Sequence, residues 1–492
     1  MTAPTPTPAP TPTVTTEAIA ESATARLTRI DHAHVWHPFT GQRQWREQEP
    51  IIIERAEGFA LYDTRGRRYI DGYSSLWCNV HGHRVPEIDD AIREQLGLVA
   101  HATMLGAATI PAIELAQRLV NLVNRPGASR ALSRVFYSDA GATATELAFK
   151  MAAGLHHHTG RTERDTFVGI RGAYHGDTTG AMSVGYDERM HKPFSTMLFG
   201  NAWAMAPDVC RAGAPSPGCE TEWPSWDGAR RRRVRDAALA DLDRVLDEVG
   251  DRAIAVVIEP LMQGAGGMIE QPEGYLSGLA QRARDRGLPL IADEVAVGLC
   301  RTGTTLACEH EGVEPDILCL AKGLSGGYLP LAATMCTDEI AGAFEGEPHE
   351  HRTLYHGHTF TGNPLACAAA NASIDLLLKH NLCARAGDLS SMMRGRLRER
   401  LGDHPHVGDV RLRGVMCGIE LVARRNPWTP FDPNRRVGAR VCEAARSLGL
   451  MVRPLGDVII LNPAPAMDER TAQEMLGIIL ETIRVFDFSR FA

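Results

Sequence analysis

The sequence contains no run approaching the ~20 consecutive apolar residues that a membrane-spanning helix needs, so no transmembrane segment is expected. It also lacks an excess of basic charge. Lys and Arg number 52 against 60 Asp and Glu, a formal net charge of −8. That balance gives no footprint for nucleic acid and no pull towards anionic lipid. There is no Cys-x-x-Cys pair, so neither a zinc knuckle nor a redox dithiol motif is indicated. The eleven cysteines are scattered. Cys308, Cys319, Cys336, Cys367, Cys417 and Cys442 sit inside apolar stretches, as free cysteines do when they act as small buried hydrophobes. A reducing cytoplasm is the compartment this usage predicts. The Pro/Thr-rich start has no apolar core and no basic residue, so residues 1–25 read as a disordered tail, not a signal or transit peptide. No internal repeat is visible.

What is present is an ordinary globular composition, 44% hydrophobic and 23% charged over 492 residues, long enough for two domains. Residues 26–75 hold a short helix and a hairpin whose turn falls at Asp63–Arg68, and they form the N-terminal segment of a small domain. Across 76–375 apolar strands alternate with helical stretches, which predicts a large α/β domain around a mostly parallel sheet. The expected strands are 134–138, 166–170, 253–259, 288–293, 316–320 and 330–336. Residues 376–492 return to helices and short strands, a smaller C-terminal α/β domain. The interval 206–230, with Cys210 and Cys219, reads as a surface loop, and the basic cluster at 228–235 as a solvated helix start.

Two strand ends carry the chemistry. Ile-Leu-Cys-Leu-Ala-Lys-Gly (317–323) delivers Lys322 from an apolar strand into a glycine-rich turn. Apolar surroundings disfavour the ammonium, and a neutral amine is the nucleophile that forms a Schiff base with a carbonyl cofactor. Gly-Leu-Pro-Leu-Ile-Ala-Asp-Glu-Val (287–295) ends a second apolar strand in Asp293 and Glu294. Ligands of open α/β sheets lie beyond the carboxyl ends of the strands, so Asp293 and Lys322 are expected in one crevice. A lysine for an aldehyde and an aspartate for a pyridine nitrogen are the pair that pyridoxal 5′-phosphate requires. Upstream, 136–152 reads as strand, small-residue turn and helix, with Gly141 and Ala142 at a helix start suited to a phosphate. Gly-Ala-Tyr-His-Gly-Asp-Thr (172–178) then offers an aromatic face at Tyr174.

These segments, in this order, resemble the class III (omega) aminotransferases of PLP fold type I, from about Asp31 to the C-terminus. The features that narrow the resemblance are Trp-His-Pro-Phe-Thr (36–40), Ser-Ser-Leu-Trp-Cys-Asn-Val-His-Gly-His (74–83), Gln-Gly-Ala-Gly-Gly-Met (263–268), His-Gly-His-Thr-Phe-Thr-Gly-Asn-Pro (356–364) and Val-Arg-Pro-Leu-Gly (452–456). They point to the biotin-pathway branch, which aminates 8-amino-7-oxononanoate using S-adenosylmethionine or L-lysine. The resemblance implies that Lys322 holds the cofactor and that Asp293 pairs with its ring nitrogen. Tyr174 and Val295 would cover the two ring faces, with Gly141 and Ala142 at the phosphate. It further implies that His358 and Thr359 reach the phosphate of the neighbouring subunit, making a homodimer with sites at its interface. Trp77, Asp177, Gly357 and Arg453 would meet substrate, Arg453 through the acid tail.

Two positions depart from the branch's adenosylmethionine users, which carry Trp where this chain has Leu76 and Tyr where it has Phe39. Lysine is therefore the expected preferred donor. Two alternatives remain open at this level. One is another omega-aminotransferase using ornithine, 4-aminobutyrate or a diamine; the other is a non-enzymatic PLP- or metal-binding protein. His156–His158 read as a solvated helix face, and no metal is assigned to them or to His349, His351, His356 and His358.

Overall fold

A computed structural model describes residues 22–211 and 223–491. The expected tail therefore falls largely, and the central part of the 206–230 loop with Cys219 wholly, outside the described residues. The chain forms two compact units, Met1–Arg55 with Leu61–Arg68, and Ala56–Ala60 with Tyr69–Ala492.

In the first unit a helix over Ala23–His34 starts at Ser22, whose Oγ accepts the Ala25 N–H at 3.2 Å. Asp31 on this helix accepts from His37 Nε2 (2.8 Å) and Trp45 Nε1 (2.6 Å). Phe39 lies between these partners in sequence, exposed and with φ 48°. The turn expected at Asp63–Arg68 is present: Asp63 Oδ1 accepts the N–H groups of Arg65 and Arg67.

The second unit is organised by a seven-stranded sheet. Its strands are β1 (Leu132–Ser138), β2 (Thr166–Ile170), β3 (Ala202–Ala204), β4 (Ala253–Ile258), β5 (Leu290–Asp293), β6 (Ile317–Leu320) and β7 (Ala332–Thr337), in the order β1-β7-β6-β5-β4-β2-β3. β7 alone runs opposite to the other six strands. β4, β5 and β6 are buried at every residue, which is why they read as unbroken apolar runs and not as alternating ones. Each fully buried Val, Leu or Ile contributes about 1.5–3 kcal/mol. The β5–β6 register places Asp293 opposite Cys319, three residues before Lys322.

A second, antiparallel sheet has β8 (Val407–Arg413), β9 (Met416–Leu421), β10 (Arg453–Leu455) and β11 (Val458–Leu461) in the order β8-β9-β11-β10. Helices over Leu382–Leu401, Val437–Ser447 and Glu469–Val485 cover it and close a separate apolar core.

Three expectations need correction. Cys300 and Cys383 form a disulfide, a pair 83 residues apart that no local spacing reveals, while the six cysteines named above are free and buried. His156 is buried, with Nε2 2.8 Å from Ile254 O, so only His157 of the three histidines is fully exposed. The basic cluster does open a helix, Gly228–Val249, capped by Asp227, but Arg230 turns inward to the carbonyls of Val209 and Cys210. In both cases a backbone carbonyl satisfies a polar group that the helical pattern alone assigns to solvent.

Candidate active site

Five strand ends converge on one crevice. β5 ends in Asp293, and Lys322 follows β6 by two residues. Glu259 follows β4, the loop after β2 carries Tyr174 and His175, and the helix Gly141–His158 starts just after β1. Parallel strands end on one side of the sheet, so this convergence follows from the topology. Asp293 is 4% exposed. Its Oδ2 accepts from His175 Nδ1 at 2.7 Å and its Oδ1 accepts the Val295 N–H at 3.1 Å. The Glu259 carboxylate is held by the N–H groups of Tyr174 and Gly264, both at 2.9 Å. Tyr174 donates its hydroxyl to Asp177 Oδ2 at 2.8 Å, which fixes the phenol ring.

The sequence holds four lysines, Lys150, Lys192, Lys322 and Lys379, and Lys322 is the one at this crevice. Its Nζ lies 5.3 Å from the centre of the Trp77 ring. Part of its surface is open to the crevice, but burial pushes its pKa below the ordinary lysine value, with Asp293 and Glu259 opposing. That is the direction an amine nucleophile needs. Burial pulls His175 down, yet the hydrogen bond and charge of Asp293 outweigh it and leave its pKa raised. Glu259 is pushed up to about 7 by burial, with His175 opposing and Asp293 adding to the rise.

The Aminotransferase class-III family pattern matches residues 42–483 of this chain. The adenosylmethionine-8-amino-7-oxononanoate aminotransferase of Nitratidesulfovibrio vulgaris is 46% identical over 470 residues, 94% of this chain and 82% of that protein. The crystal structure of the enzyme of the same name from Methanocaldococcus jannaschii superposes with a TM-score of 0.85 at 38% identity, covering 94% and 99% of the two chains. A PLP-bound amine transaminase from an uncultivated Pseudomonas species gives 0.84 at 32%, covering 93% and 99%. This chain belongs to the class-III aminotransferases.

The fold of this aminotransferase is thus the α/β fold expected, and its cofactor is pyridoxal 5′-phosphate. The crevice fits that group. A Cβ on Gly141 would stand 2.5 Å from Val295 Cγ1, and one on Gly176 (φ 124°) 2.3 Å from Ala142 Cβ. Only glycine permits this close approach of the helix start, the Val295 side chain and the 174–178 loop. Beside it, Ser138 Oγ and Thr178 Oγ1 are buried with no protein partner. Two unmet polar groups next to an 18-residue helix N-terminus suit a phosphate.

Of the expected substrate contacts, Trp77 and Leu76 lie on a segment, Ser74–Trp77, whose four residues all have positive φ. The left-handed conformation costs about 1–2 kcal/mol per L residue. Arg453 opens β10 and is half-buried, close enough to Tyr73 to lower that phenol's pKa against the burial and Asp71 that raise it. Gly357 and Thr359 are exposed on the loop before the helix Pro364–Lys379, and His358 Nδ1 lies 2.8 Å from Asp139 Oδ2 on the same chain. The single chain brings neither Gly357 nor Thr359 against the groups around Lys322.

Sequence reasoning missed His175, Glu259 and Arg301. The first two had a signal: each is a polar residue placed at or just past a predicted strand end on the ligand side of the sheet. Glu294 was the competing carboxylate, and it turns away from the crevice to accept the N–H groups of Ala307 (2.6 Å) and Cys308 (2.8 Å). Burial raises its pKa from 4.5 to about 7. The fold therefore favours the protonated acid. That contribution is whole below pH 4.5, falls as pH rises, and is lost above pH 7. Thermal melts should show Glu294→Gln with a flatter loss of stability across this window than the parent, at unchanged cofactor content. An identical slope would contradict the assignment.

Proposed function

We propose that this aminotransferase transfers an amino group to the ketone of 8-amino-7-oxononanoate, giving 7,8-diaminononanoate in biotin synthesis. The observation that carries the reading is Arg453, a guanidinium beside Tyr73 at the edge of the Trp77 segment, suited to two-point recognition of the acid tail. The names of the relatives agree with it. Bound pyridoxal phosphate supplies an electron sink. When the cofactor is bound, Lys322 would hold it through the aldehyde carbon and would be freed when the donor amine takes its place. Lys322 Nζ would take the donor's α-proton and hand it to the cofactor-side carbon, and in the second half of the ping-pong cycle it would carry a proton the other way, to the former ketone carbon. Asp293, itself held by His175, would keep a proton at the ring nitrogen, Tyr174 and Val295 would cover the ring faces, and the Gly141–Ala142 amides would hold the phosphate. Asp177 orients Tyr174 and lines the pocket.

We infer a homodimer in which Gly357, His358 and Thr359 serve the partner's site, and a cytoplasmic location, which the eight free cysteines among the described residues support and the single Cys300–Cys383 disulfide opposes. Exposed apolar side chains support a covered face: Leu98, Leu105 and Ile110 lie near the same surface as Phe360, whose ring is 4.7 Å from that of His101. Among the described residues no helix is long and apolar enough to cross a membrane. We infer a large domain over 76–375 and a smaller one over 376–492, and the apolar core under the second sheet, drawn mostly from 386–488, supports the smaller one.

For the donor, the sequence has Leu76 where the adenosylmethionine users carry tryptophan and Phe39 where they carry tyrosine, with Trp77 retained. A cation over an aromatic face gains about 0.5–2 kcal/mol, so one lost ring shifts discrimination by roughly tenfold. Single-turnover conversion of the cofactor to its amine form should be faster with L-lysine than with S-adenosylmethionine. Leu76→Trp with Phe39→Tyr should narrow or reverse the gap. Rapid conversion by S-adenosylmethionine and none by lysine, the outcome the relatives' names favour, would overturn the donor assignment and leave the acceptor reading standing.

A further inference from the structure

Ser74, Ser75, Leu76 and Trp77 have φ of 54°, 48°, 72° and 69°, one left-handed turn built without glycine. Such a run persists only where the surroundings over-determine it. Asp71 holds one side, accepting the Ser75 N–H (2.9 Å) and Oγ–H (2.7 Å). The other side is held by Arg301, among the most deeply buried large side chains of the chain. Its Nη1 donates to Ser74 Oγ (3.2 Å), Asn462 Oδ1 (3.4 Å) and Pro463 O (2.8 Å), and its Nη2 to Trp77 O (3.0 Å) and Asn79 O (2.7 Å). All five of these acceptors are neutral. A guanidinium buried among neutral groups is costly, and burial lowers its pKa to about 10 against the charges of Cys78 and Asp71. A core serving stability alone would gain by replacing it with an apolar side chain.

The guanidinium is also delivered from a rigid base. Cys300, the preceding residue, is bonded to Cys383, and the Arg301 carbonyl accepts the Val415 N–H at 2.9 Å. A Cβ on Gly414 would come within 2.1 Å of that same carbonyl oxygen, so the backbones are in closest approach there. The far end of the device is the crevice. Trp77, whose carbonyl Arg301 holds, packs against Gly264 and stands over Lys322, and the Arg301 charge adds to the lowering of the Lys322 pKa.

We propose that Arg301 is a positioning residue for donor recognition: its guanidinium, bonded to Ser74, Trp77 and Asn79, locks the Ser74–Trp77 turn in its left-handed form, which keeps Trp77 against Lys322 and Leu76 in the pocket wall. The proposal rests on the reading of Trp77 and Leu76 as substrate contacts. It predicts that donor selectivity is set by Arg301 together with those two side chains and not by them alone.

The test is a double-mutant cycle on the cofactor-loaded full chain, with Arg301→Lys, Trp77→Ala and both, read by single-turnover cofactor conversion with L-lysine and with S-adenosylmethionine. Cofactor content and thermal midpoint are measured beside it. Arg301→Lys should keep its cofactor, lose about tenfold or more in kcat/KM for the donor half-reaction, and change the ratio between donors. The double variant should be no more than about twofold worse than the poorer single, because both changes remove one device. Losses that multiply, or an unchanged donor ratio with activity falling in step with stability, would overturn the proposal. If Arg301→Lys does not fold, Ser74→Ala, which removes one acceptor of the guanidinium, takes its place in the cycle with the same deciding outcomes. A wild-type protein inert to both donors would refute the functional reading instead, and the cycle then uses whichever amine that protein accepts.

Discussion

Lys322→Ala should leave a folded protein that binds pyridoxal phosphate without a covalent link and turns over at least about 10²–10⁴-fold more slowly than the parent, the span general acid–base catalysis alone supplies. On the proposed mechanism two functions go with one amine, the hold on the aldehyde and the proton carrier. No replacement stands nearby, because the other three lysines of the sequence lie elsewhere and the titratable groups acting on Lys322 are Asp293, Glu259, Cys78 and Arg301, none of them an amine. The visible absorbance of the covalent form should disappear, and denaturation should release all the cofactor. Full activity in this variant would remove the mechanism.

Asp293→Asn should lower turnover by about 10²–10³-fold, the scale on which losing one preorganised electrostatic partner acts. The shape survives, since an amide can still meet the Val295 N–H, but the charge that favours a protonated ring nitrogen is gone. The same change removes the main influence that raises His175, so burial should dominate there and its pKa should fall. Nuclear magnetic resonance titration of the His175 ring therefore gives a readout that does not pass through activity. An unchanged rate together with an unmoved His175 would show that Asp293 is not the ring-nitrogen partner. Glu294 cannot serve as the substitute, since both its oxygens are engaged by the 307–308 backbone.

Much of this arrangement was legible before any coordinates. Fully buried parallel strands read as uninterrupted apolar runs, so β4, β5 and β6 announce themselves, and the carboxyl ends of β5 and β6 mark Asp293 and Lys322, while Glu259 past the end of β4 carried the same signal and was missed. The choice between Asp293 and Glu294 was not fixed by pattern, because adjacent strand-end residues point to opposite sides and only the packing says which side is the crevice. Arg301 was invisible for a different reason. An arginine after Leu-Cys and before Thr-Gly looks like a loop residue, and its five acceptors come from segments more than 150 residues away in sequence. The disulfide of Cys300 hides in the same way, as does the inward turn of Arg230. Long-range partners leave no local period to read.

The most direct test of the central claim is product formation. The cofactor-loaded protein is incubated with 8-amino-7-oxononanoate and, separately, L-lysine or S-adenosylmethionine, and 7,8-diaminononanoate is followed by mass spectrometry. The account predicts the diamine in at least one arm, dependent on donor and absent with Lys322→Ala. No diamine with either donor, while ornithine or 4-aminobutyrate converts the cofactor readily, would contradict it and assign the crevice to a different acceptor.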